Sequence, residues 1–293
     1  MNDRTFLQAC ELVKSKLVGL DINRVFTSIG SNVFFEFGEV KELVFRNGKK
    51  SVQKEWSIWI GHASWRISKN GKYVVGSGDP SQTIQLNIQQ LLGKRLKSFQ
   101  FLSSFLDVQF DFDEGYQITT FFNWLEEDQW TLFLPDQSNI SVDLANDEEI
   151  GIIRNLSKQV SIVQNYERLD LLQRDITLTG VTYDELQRLT LHLENGFSIY
   201  FQNCTWRLEK NDEYLIGCLD NYADQTNNML SELIGKNLTQ VAIANFNMDA
   251  MFDFEDTYVL RTFACNRETS QWTAFSKPQS IFQALIQLME DLV

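Results

Sequence analysis

The sequence predicts an α+β fold in which one strand-rich unit occurs twice. Three observations predict it: an internal repeat, alternating apolar and polar residues inside each copy, and helical spacing in the segments around the copies. The chain has 293 residues, of which 43% are hydrophobic. A chain of this length can bury two cores of ordinary size.

The repeat is direct and ordered along the chain. Trp56 to Asp79 aligns without a gap on Phe197 to Asp220 at a shift of 141, and after one inserted residue the match resumes at a shift of 142. Ordered identities over about 75 residues indicate duplication, and two copies are too few for a solenoid. The identical residues include Trp65/Trp206, Arg66/Arg207, Tyr73/Tyr214, Gly76/Gly217, Asp79/Asp220, Gly93/Gly235, Phe110/Phe252, Asp111/Asp253 and Trp130/Trp272.

Each copy is predicted to form a β-hairpin, a helix and an antiparallel β-meander. In the first copy, Asn70-Gly71 marks the hairpin turn, and Ile84, Ile88 and Leu91 recur at helical spacing before a stop at Gly93. In the meander, Val108, Phe110 and Phe112 alternate with polar residues, so they are expected to face inward. Residues 33–55 are interpreted as an extra polar hairpin of the first copy.

Three helices are expected outside the repeated segments. They are an N-terminal helix through Phe6 to Leu17, a helix in the connector from Glu149 to Val163, and a C-terminal helix beginning at Pro278. The predicted organisation is an N-terminal helix (1–18), a first repeat domain (19–145), a mostly helical connector (146–176), and a second repeat domain with the C-terminal helix (177–293).

Charge is distributed unevenly along the chain. The formal net charge is −13, but residues 1–97 carry +7 and residues 98–293 carry −20. Residues 98–153 contain twelve carboxylates and no Lys or Arg. Such a run predicts an acidic surface that attracts a basic protein and disfavours nucleic acid, because phosphate contacts require a basic footprint.

The carboxylates that recur in both copies allow two interpretations. They are Asp107/Asp249, Asp111/Asp253, Asp113/Glu255 and Glu114/Asp256. Alternate acidic residues on one strand face could hold a divalent cation through oxygen ligands. They could equally form the solvated outer face of an antiparallel sheet. Their spacing fits no calcium loop, so the solvated face is the preferred interpretation.

Other motifs favour structural roles over catalysis. Trp65-Arg66 and Trp206-Arg207 could stack as recognition pairs, but their recurrence beside Tyr73 and Gly76 favours core positions. Asp79 and Asp220 precede helices and are predicted to be N-caps. The two histidines, His62 and His192, occupy non-equivalent positions. The sequence therefore indicates neither a histidine-based metal site nor a nucleophilic catalytic site.

The order of these motifs resembles small bacterial domains found beside toxin and defence genes, including immunity proteins. The resemblance rests on the Trp-Arg, Gly-x-x-Asp, helix-Gly and Phe-Asp-Phe elements of both copies. It implies a binding role rather than an activity, and it carries no functional residue over to this chain.

The sequence therefore predicts a non-enzymatic cytoplasmic protein that sequesters or inhibits a protein partner, such as a basic nuclease toxin or a defence enzyme. A metal-dependent hydrolase or ligand-binding protein that uses the duplicated carboxylates is the alternative, and self-association into a homo-oligomer is a further possibility. No catalytic residue, metal, cofactor, nucleic acid or membrane partner is expected. The residues expected to contact the partner are Asp107, Asp111, Asp113, Glu114, Glu126, Glu127 and Asp128.

Overall fold

The computed structural model divides the chain into two compact units. Unit 1 comprises residues 1–164 and 265–267, and unit 2 comprises residues 165–264 and 268–293. The structure describes residues 11–44, 50–102, 107–123, 129–135, 139–142, 166–168, 175–184, 188–194, 196–201, 204–220, 223–244, 249–265 and 272–275.

Unit 1 contains two antiparallel five-stranded sheets. The strands are β1 (Ile22–Thr27), β2 (Val33–Val44), β3 (Lys50–Ile60), β4 (Ser64–Lys69), β5 (Lys72–Gly76), β6 (Leu96–Phe101), β7 (Val108–Phe112), β8 (Tyr116–Phe121), β9 (Trp130–Phe133) and β10 (Asn139–Val142). The first sheet has the order β1-β2-β3-β9-β10, and the second has the order β5-β4-β8-β7-β6. Helix α1 (Ser81–Ile88) joins β5 to β6.

Unit 2 repeats this arrangement with strands β11 (Tyr166–Arg168), β12 (Ile176–Tyr183), β13 (Leu189–Leu193), β14 (Ser198–Phe201), β15 (Thr205–Lys210), β16 (Glu213–Gly217), β17 (Asn237–Ala244), β18 (Asp249–Phe254), β19 (Tyr258–Phe263) and β20 (Trp272–Phe275). Helix α2 (Ala223–Ser231) joins β16 to β17. Pairing of β12 with β17 links the two halves into one sheet, in the order β16-β15-β19-β18-β17-β12-β13-β14-β20.

The strand registers show that the units share one backbone plan. Trp65 pairs with Thr120 in unit 1, and Trp206 pairs with Thr262 in unit 2, which are equivalent positions at the shifts of 141 and 142. The equivalence extends beyond the segment that aligns by sequence. Strands β1, β2 and β3 correspond to β12, β13 and β14, so the hairpin at residues 33–55 has a shorter counterpart in unit 2 and is not an extra element.

Alternation of apolar residues explains why the sheets pack on each other. In β7, Val108, Phe110 and Phe112 are buried, while the residues between them are half-buried. Trp130 of β9 in the first sheet contacts Phe99 and Phe110 of the second sheet, at ring-centroid distances of 6.0 and 6.2 Å. These contacts place the unit 1 core between its two sheets.

The predicted α+β class is wrong, because the described chain is mostly β. The two-residue period of the strands dominates both units, and the described helices α1 and α2 have eight and nine residues. The described end of the expected N-terminal helix, Val13–Leu17, is a π-helical turn. Within the expected helical connector, Tyr166–Arg168 forms a strand against β17. The rest of that connector and the segment from Pro278 onward lie outside the described residues.

A buried carboxylate fixes the turn between the hairpin and the helix of each unit. Asp79 Oδ2 accepts hydrogen bonds from the Tyr73 hydroxyl at 2.7 Å and from the Gly76 amide at 2.9 Å. In unit 2, Asp220 Oδ2 accepts the same pair, from the Tyr214 hydroxyl and the Gly217 amide. The prediction that Asp79 caps helix α1 is wrong, since Pro80 occupies the N-cap position and no side chain caps the helix. The carboxylate instead closes the turn that precedes it.

No described helix is both long and apolar enough to cross a membrane.

Replacing Trp206 by Ala tests the assignment of the duplicated tryptophans to the core. Trp65 is fully buried and Trp206 is 1% exposed. Because truncation leaves a large cavity, we expect the free energy of unfolding to fall by about 3–5 kcal/mol. Urea denaturation measures this change, and Trp65→Ala should give a similar loss. A nearly unchanged midpoint would show that the indole is a surface contact and not part of the core.

Candidate binding surfaces

The described carboxylates of the predicted acidic surface occupy three different environments. Asp107 is 4% exposed, and its Oδ1 accepts a hydrogen bond from the Phe122 amide at 2.6 Å. Asp249 makes the same contact with the Ala264 amide in unit 2. This recurring contact ties the start of one strand to the end of the next, and it turns the Asp107 carboxylate away from solvent.

Asp111 lies on the outer face of β7, among neutral polar side chains. Its carboxylate accepts hydrogen bonds from the Gln109 and Gln117 amides at 2.7 and 2.9 Å, and from the Ser98 hydroxyl. These neighbours are hydrogen-bond donors and carry no charge, so the negative charge of Asp111 is not neutralised by a cation there. Asp111 therefore remains an anionic position on this sheet face.

Asp113 and Glu114 are paired with lysines from the basic first third of the chain. Lys97 Nζ lies 2.9 Å from Asp113, and Lys94 Nζ lies 2.5 Å from Glu114. Neutralisation within the unit therefore accounts for part of the opposite charges of residues 1–97 and 98–153. Both carboxylates remain at the surface, where an ion pair contributes little and a partner can compete for it. The other predicted contact residues, Glu126, Glu127 and Asp128, lie outside the described residues.

A cluster of two lysines around a tyrosine recurs in each unit. It lies where the β4–β5 and β7–β8 turns of unit 1 adjoin, and where the β15–β16 and β18–β19 turns of unit 2 adjoin. We call this place the turn end of each unit. In unit 1, Lys69 and Lys94 lie over the Tyr116 ring, with Nζ at 4.4 and 5.7 Å from its centroid. In unit 2, Lys210 and Lys236 lie over Tyr258 at 4.4 and 5.0 Å. Since both copies retain it, this cation–π arrangement belongs to the architecture of the turn end.

The exposed residues around this cluster have diverged in charge. In unit 2 we call them the acidic turn surface, which consists of Asp212, Glu213, Glu232, Glu255 and Asp256 with the cluster lysines Lys210 and Lys236. Its formal charge is −3, whereas the seven equivalent positions of unit 1 carry +1. Those equivalents are Gly71, Lys72, Gln90, Asp113, Glu114, Lys69 and Lys94. The fold therefore accepts either sign at these positions.

Unit 2 also buries an ionic network on the outer face of β15 and β19. Glu209 is 1% exposed and accepts hydrogen bonds from Arg207 Nε at 2.6 Å and from Arg261 Nε at 2.9 Å. Burial by itself would raise the pKa of Glu209, but the charges of Arg261 and Arg207 outweigh burial and hold that pKa below its usual value. Unit 1 has Ser68 and Thr119 in place of Glu209 and Arg261, so the network is specific to unit 2.

A row of aromatic rings crosses the outer face of the first sheet in unit 1. Phe26 and Phe34 are cross-strand neighbours whose rings stack at 4.9 Å. Phe34 lies 6.3 Å from the Trp59 ring and 6.2 Å from the Phe133 ring. These four residues alternate with buried ones and are half-buried on the other side of the sheet. We call these four residues, together with the cross-strand pair Arg24 and Glu36, the aromatic face.

Glu36 lies near two cations on the aromatic face, but at long distances. The Glu36 carboxylate lies 3.7 Å from Arg24 Nη1 and 3.8 Å from Lys54 Nζ, both beyond hydrogen-bond distance. Among the described residues, its Oε2 has no hydrogen-bond donor. Burial raises the pKa of Glu36 above its usual value, and the charges of Arg24 and Lys54 offset only part of this effect.

The equivalent face of unit 2 shows that the fold does not require these residues. The strand registers place Thr182, Thr190 and Tyr200 at the positions of Phe26, Phe34 and Trp59. Glu36 is replaced by His192, whose ring nitrogen contacts the Ser198 hydroxyl at 3.0 Å. Phe133 has a phenylalanine counterpart, Phe275, and Tyr200 is also aromatic, so Phe26, Phe34 and the indole of Trp59 are what distinguish the unit 1 face.

Trp59 is held in place by local features that unit 2 lacks. Gly61 lies against the indole so closely that a Cβ atom there would overlap the ring, and the unit 2 residue at this position is Gln202. The His62 ring also meets the indole edge-on at 5.5 Å. These contacts fix the orientation of the indole.

Sequence reasoning did not single out the aromatic face. The strand of Val33 to Phe37 contains four apolar residues in five, and Trp56 to Ile60 is similar. Such runs are typical of strands that are buried on both faces. That signal could have identified the face if residues 33–55 had not been interpreted as a polar hairpin.

The described residues contain no group of three or more His, Cys, Asp or Glu side chains placed to hold a metal ion. No protein-family model and no curated protein matches the chain.

Replacing Glu209 by Ser, its unit 1 counterpart, tests the ionic network. The change leaves Arg207 and Arg261 without their shared carboxylate, so we expect a loss of about 3–5 kcal/mol in the free energy of unfolding at neutral pH. Because the folded-state pKa of Glu209 is lowered, this stabilisation is present above the unfolded-state pKa and is lost as the pH falls through the folded-state value. Urea denaturation between pH 7 and pH 3 measures it, and a loss independent of pH would contradict the ionic account.

Replacing Glu36 by Gln should stabilise unit 1, whereas replacing Glu209 by Ser should destabilise unit 2. Because burial raises the folded-state pKa of Glu36, the ionised carboxylate destabilises unit 1 at neutral pH. We expect Glu36→Gln to raise the melting temperature at pH 7, with a difference that shrinks as the pH falls through the folded-state pKa of Glu36. Calorimetry across this range measures the difference. A variant that is less stable at pH 7 would show that Arg24 and Lys54 satisfy the carboxylate.

Proposed function

We propose that the protein is a non-enzymatic cytoplasmic binding protein that sequesters or inhibits a basic protein partner through an acidic surface. A basic nuclease toxin or a defence enzyme is the class of partner that we propose. The observation that carries the proposal is the difference in charge between the two turn ends. The seven equivalent positions have a formal charge of +1 in unit 1 and −3 in unit 2. An excess of exposed carboxylates is costly through self-repulsion, and a basic partner relieves that cost.

The geometry supports recognition by charge more than by a cavity. The acidic turn surface is built on two adjoining turns, which are joined by a hydrogen bond from the Asn211 amide to the Thr257 carbonyl at 3.2 Å. The Tyr258 hydroxyl also donates to Glu232, and Lys236 is ion-paired with Asp256 at 2.5 Å. These contacts hold the carboxylates in place, which favours rapid association with a complementary partner.

The predicted contact residues of unit 1 form a second part of this proposal. Asp113 and Glu114 are at the surface, and a partner that presents lysines or arginines could exchange with Lys97 and Lys94. Glu126, Glu127 and Asp128 stay predicted contacts. Among the described residues, no group of three or more His, Cys, Asp or Glu side chains supports the metal-dependent hydrolase alternative.

The proposal predicts that neutral substitutions in the acidic turn surface slow association. We would replace Asp212 and Glu255 by Asn and Gln, and Glu213 by Gln, leaving the ion-paired Asp256 and Glu232 unchanged. For a partner recovered by affinity capture, we expect the association rate constant at low salt to fall about tenfold or more, because steering depends on the local charge. The variant should also lose much of the salt dependence seen with the unchanged protein.

The matched comparison is a variant with Glu126, Glu127 and Asp128 replaced by Gln, Gln and Asn. A slower association rate in this variant alone would show that the partner contacts unit 1 and not the acidic turn surface. Rates that are unchanged in both variants, at low and at high salt, would show that these carboxylates serve solubility and would contradict the proposed function.

A further inference from the structure

The aromatic face of unit 1 presents a contiguous set of rings on the outer side of its first sheet. Phe35 and Ile58 are buried inside, while Phe34 and Trp59 are half-buried outside, beside polar residues. Contiguous apolar patches that are rimmed by polar residues mark interaction sites. Unit 2 carries threonines at the registers of Phe26 and Phe34, so the common fold does not require the two phenylalanines.

Charge on the face selects among the possible occupants. The Arg24 side chain is 55% exposed, and its guanidinium lies over the Phe26 ring at 4.4 Å from the centroid. Glu36, the cross-strand neighbour of Arg24, is 9% exposed and carries the negative charge of the face. A purely basic partner would be repelled by Arg24 and Lys54, and a purely acidic partner would be repelled by Glu36.

A second copy of the same face satisfies both charges. In a contact with two-fold symmetry, residue i meets residue j and residue j meets residue i. Arg24 of each chain would then lie opposite Glu36 of the other, while the rings pack against each other. We propose that the aromatic face is a homodimer interface with two-fold symmetry. This inference is independent of the proposed partner, which is assigned to the carboxylate surfaces.

The size of the face indicates how strong this dimer is. With strands about 4.8 Å apart and a rise of about 3.3 Å per residue, the four strands that carry the rings span about 20 Å by 20 Å. The resulting area of about 400 Å² per chain is below the roughly 800 Å² per partner that is typical of stable complexes. A contact of this size belongs to the weak, transient class, so the dimer should be concentration-dependent.

Sedimentation velocity of the full chain over about 1–200 µM tests the proposal. We expect the unchanged protein to move from monomer to dimer within this range. The double variant Phe34→Thr with Trp59→Tyr introduces the residues that unit 2 carries at the same registers, so it should fold normally and stay monomeric. The matched control, Thr190→Ser with Tyr200→Phe in unit 2, should dimerise like the unchanged protein. Circular dichroism and the melting temperature establish that each variant is folded.

A charge exchange distinguishes this contact from any other. The variants Glu36→Lys and Arg24→Glu each place like charges across the two-fold axis, so each alone should be monomeric at 200 µM. An equimolar mixture restores opposite charges at both contacts and should give the heterodimer. Three results would overturn the proposal: an unchanged protein that is monomeric at 200 µM, a dimer that survives Phe34→Thr with Trp59→Tyr, or a mixture that remains monomeric.

Discussion

A β-strand places its side chains alternately on two faces of a sheet, and every feature of this protein depends on how those two faces are used. In the second sheet of unit 1 and in the corresponding strands of unit 2 the outer row is polar. Ser98, Gln109 and Gln117 surround Asp111 in unit 1, and Glu209, Arg207 and Arg261 form an ionic network in unit 2. In the first sheet of unit 1 the outer row is aromatic. The inner rows make the cores, and the charged and aromatic differences between the units lie in the outer rows and the turns.

Duplication therefore separates residues that make the fold from residues that were added to it. The contacts that recur in both units, such as the Asp79 and Asp220 turns, the Asp107 and Asp249 contacts and the lysine–tyrosine clusters, are needed by the architecture. The differences are the features on which the proposed roles rest. They are the charge of the turn ends, the ionic network of unit 2 and the aromatic face of unit 1.

The sequence could predict what local periodicity controls. Alternation identified the strands around Trp56 and Val108, helical spacing identified α1, and the repeat identified the shared plan. The fold class was wrong because long-range pairing decided the remaining segments: Tyr166–Arg168 pairs with β17 as a strand despite the helical pattern around it. Alternation placed Asp107 on the outer face, but Asp107 precedes the first residue of β7 and its carboxylate turns back to the Phe122 amide. The aromatic face was missed because its rings come from four strands that only the sheet brings together.

Hydrogen exchange measured at two protein concentrations tests the central claim most directly, because it compares equivalent strands of one chain. If the outer aromatic row of unit 1 is an interface, amide protection in β1, β2, β3 and β9 should rise between about 1 µM and 200 µM. Protection in the equivalent strands β12, β13, β14 and β20 should not change. Equal protection of both sets at both concentrations would contradict the account, and so would a rise confined to unit 2.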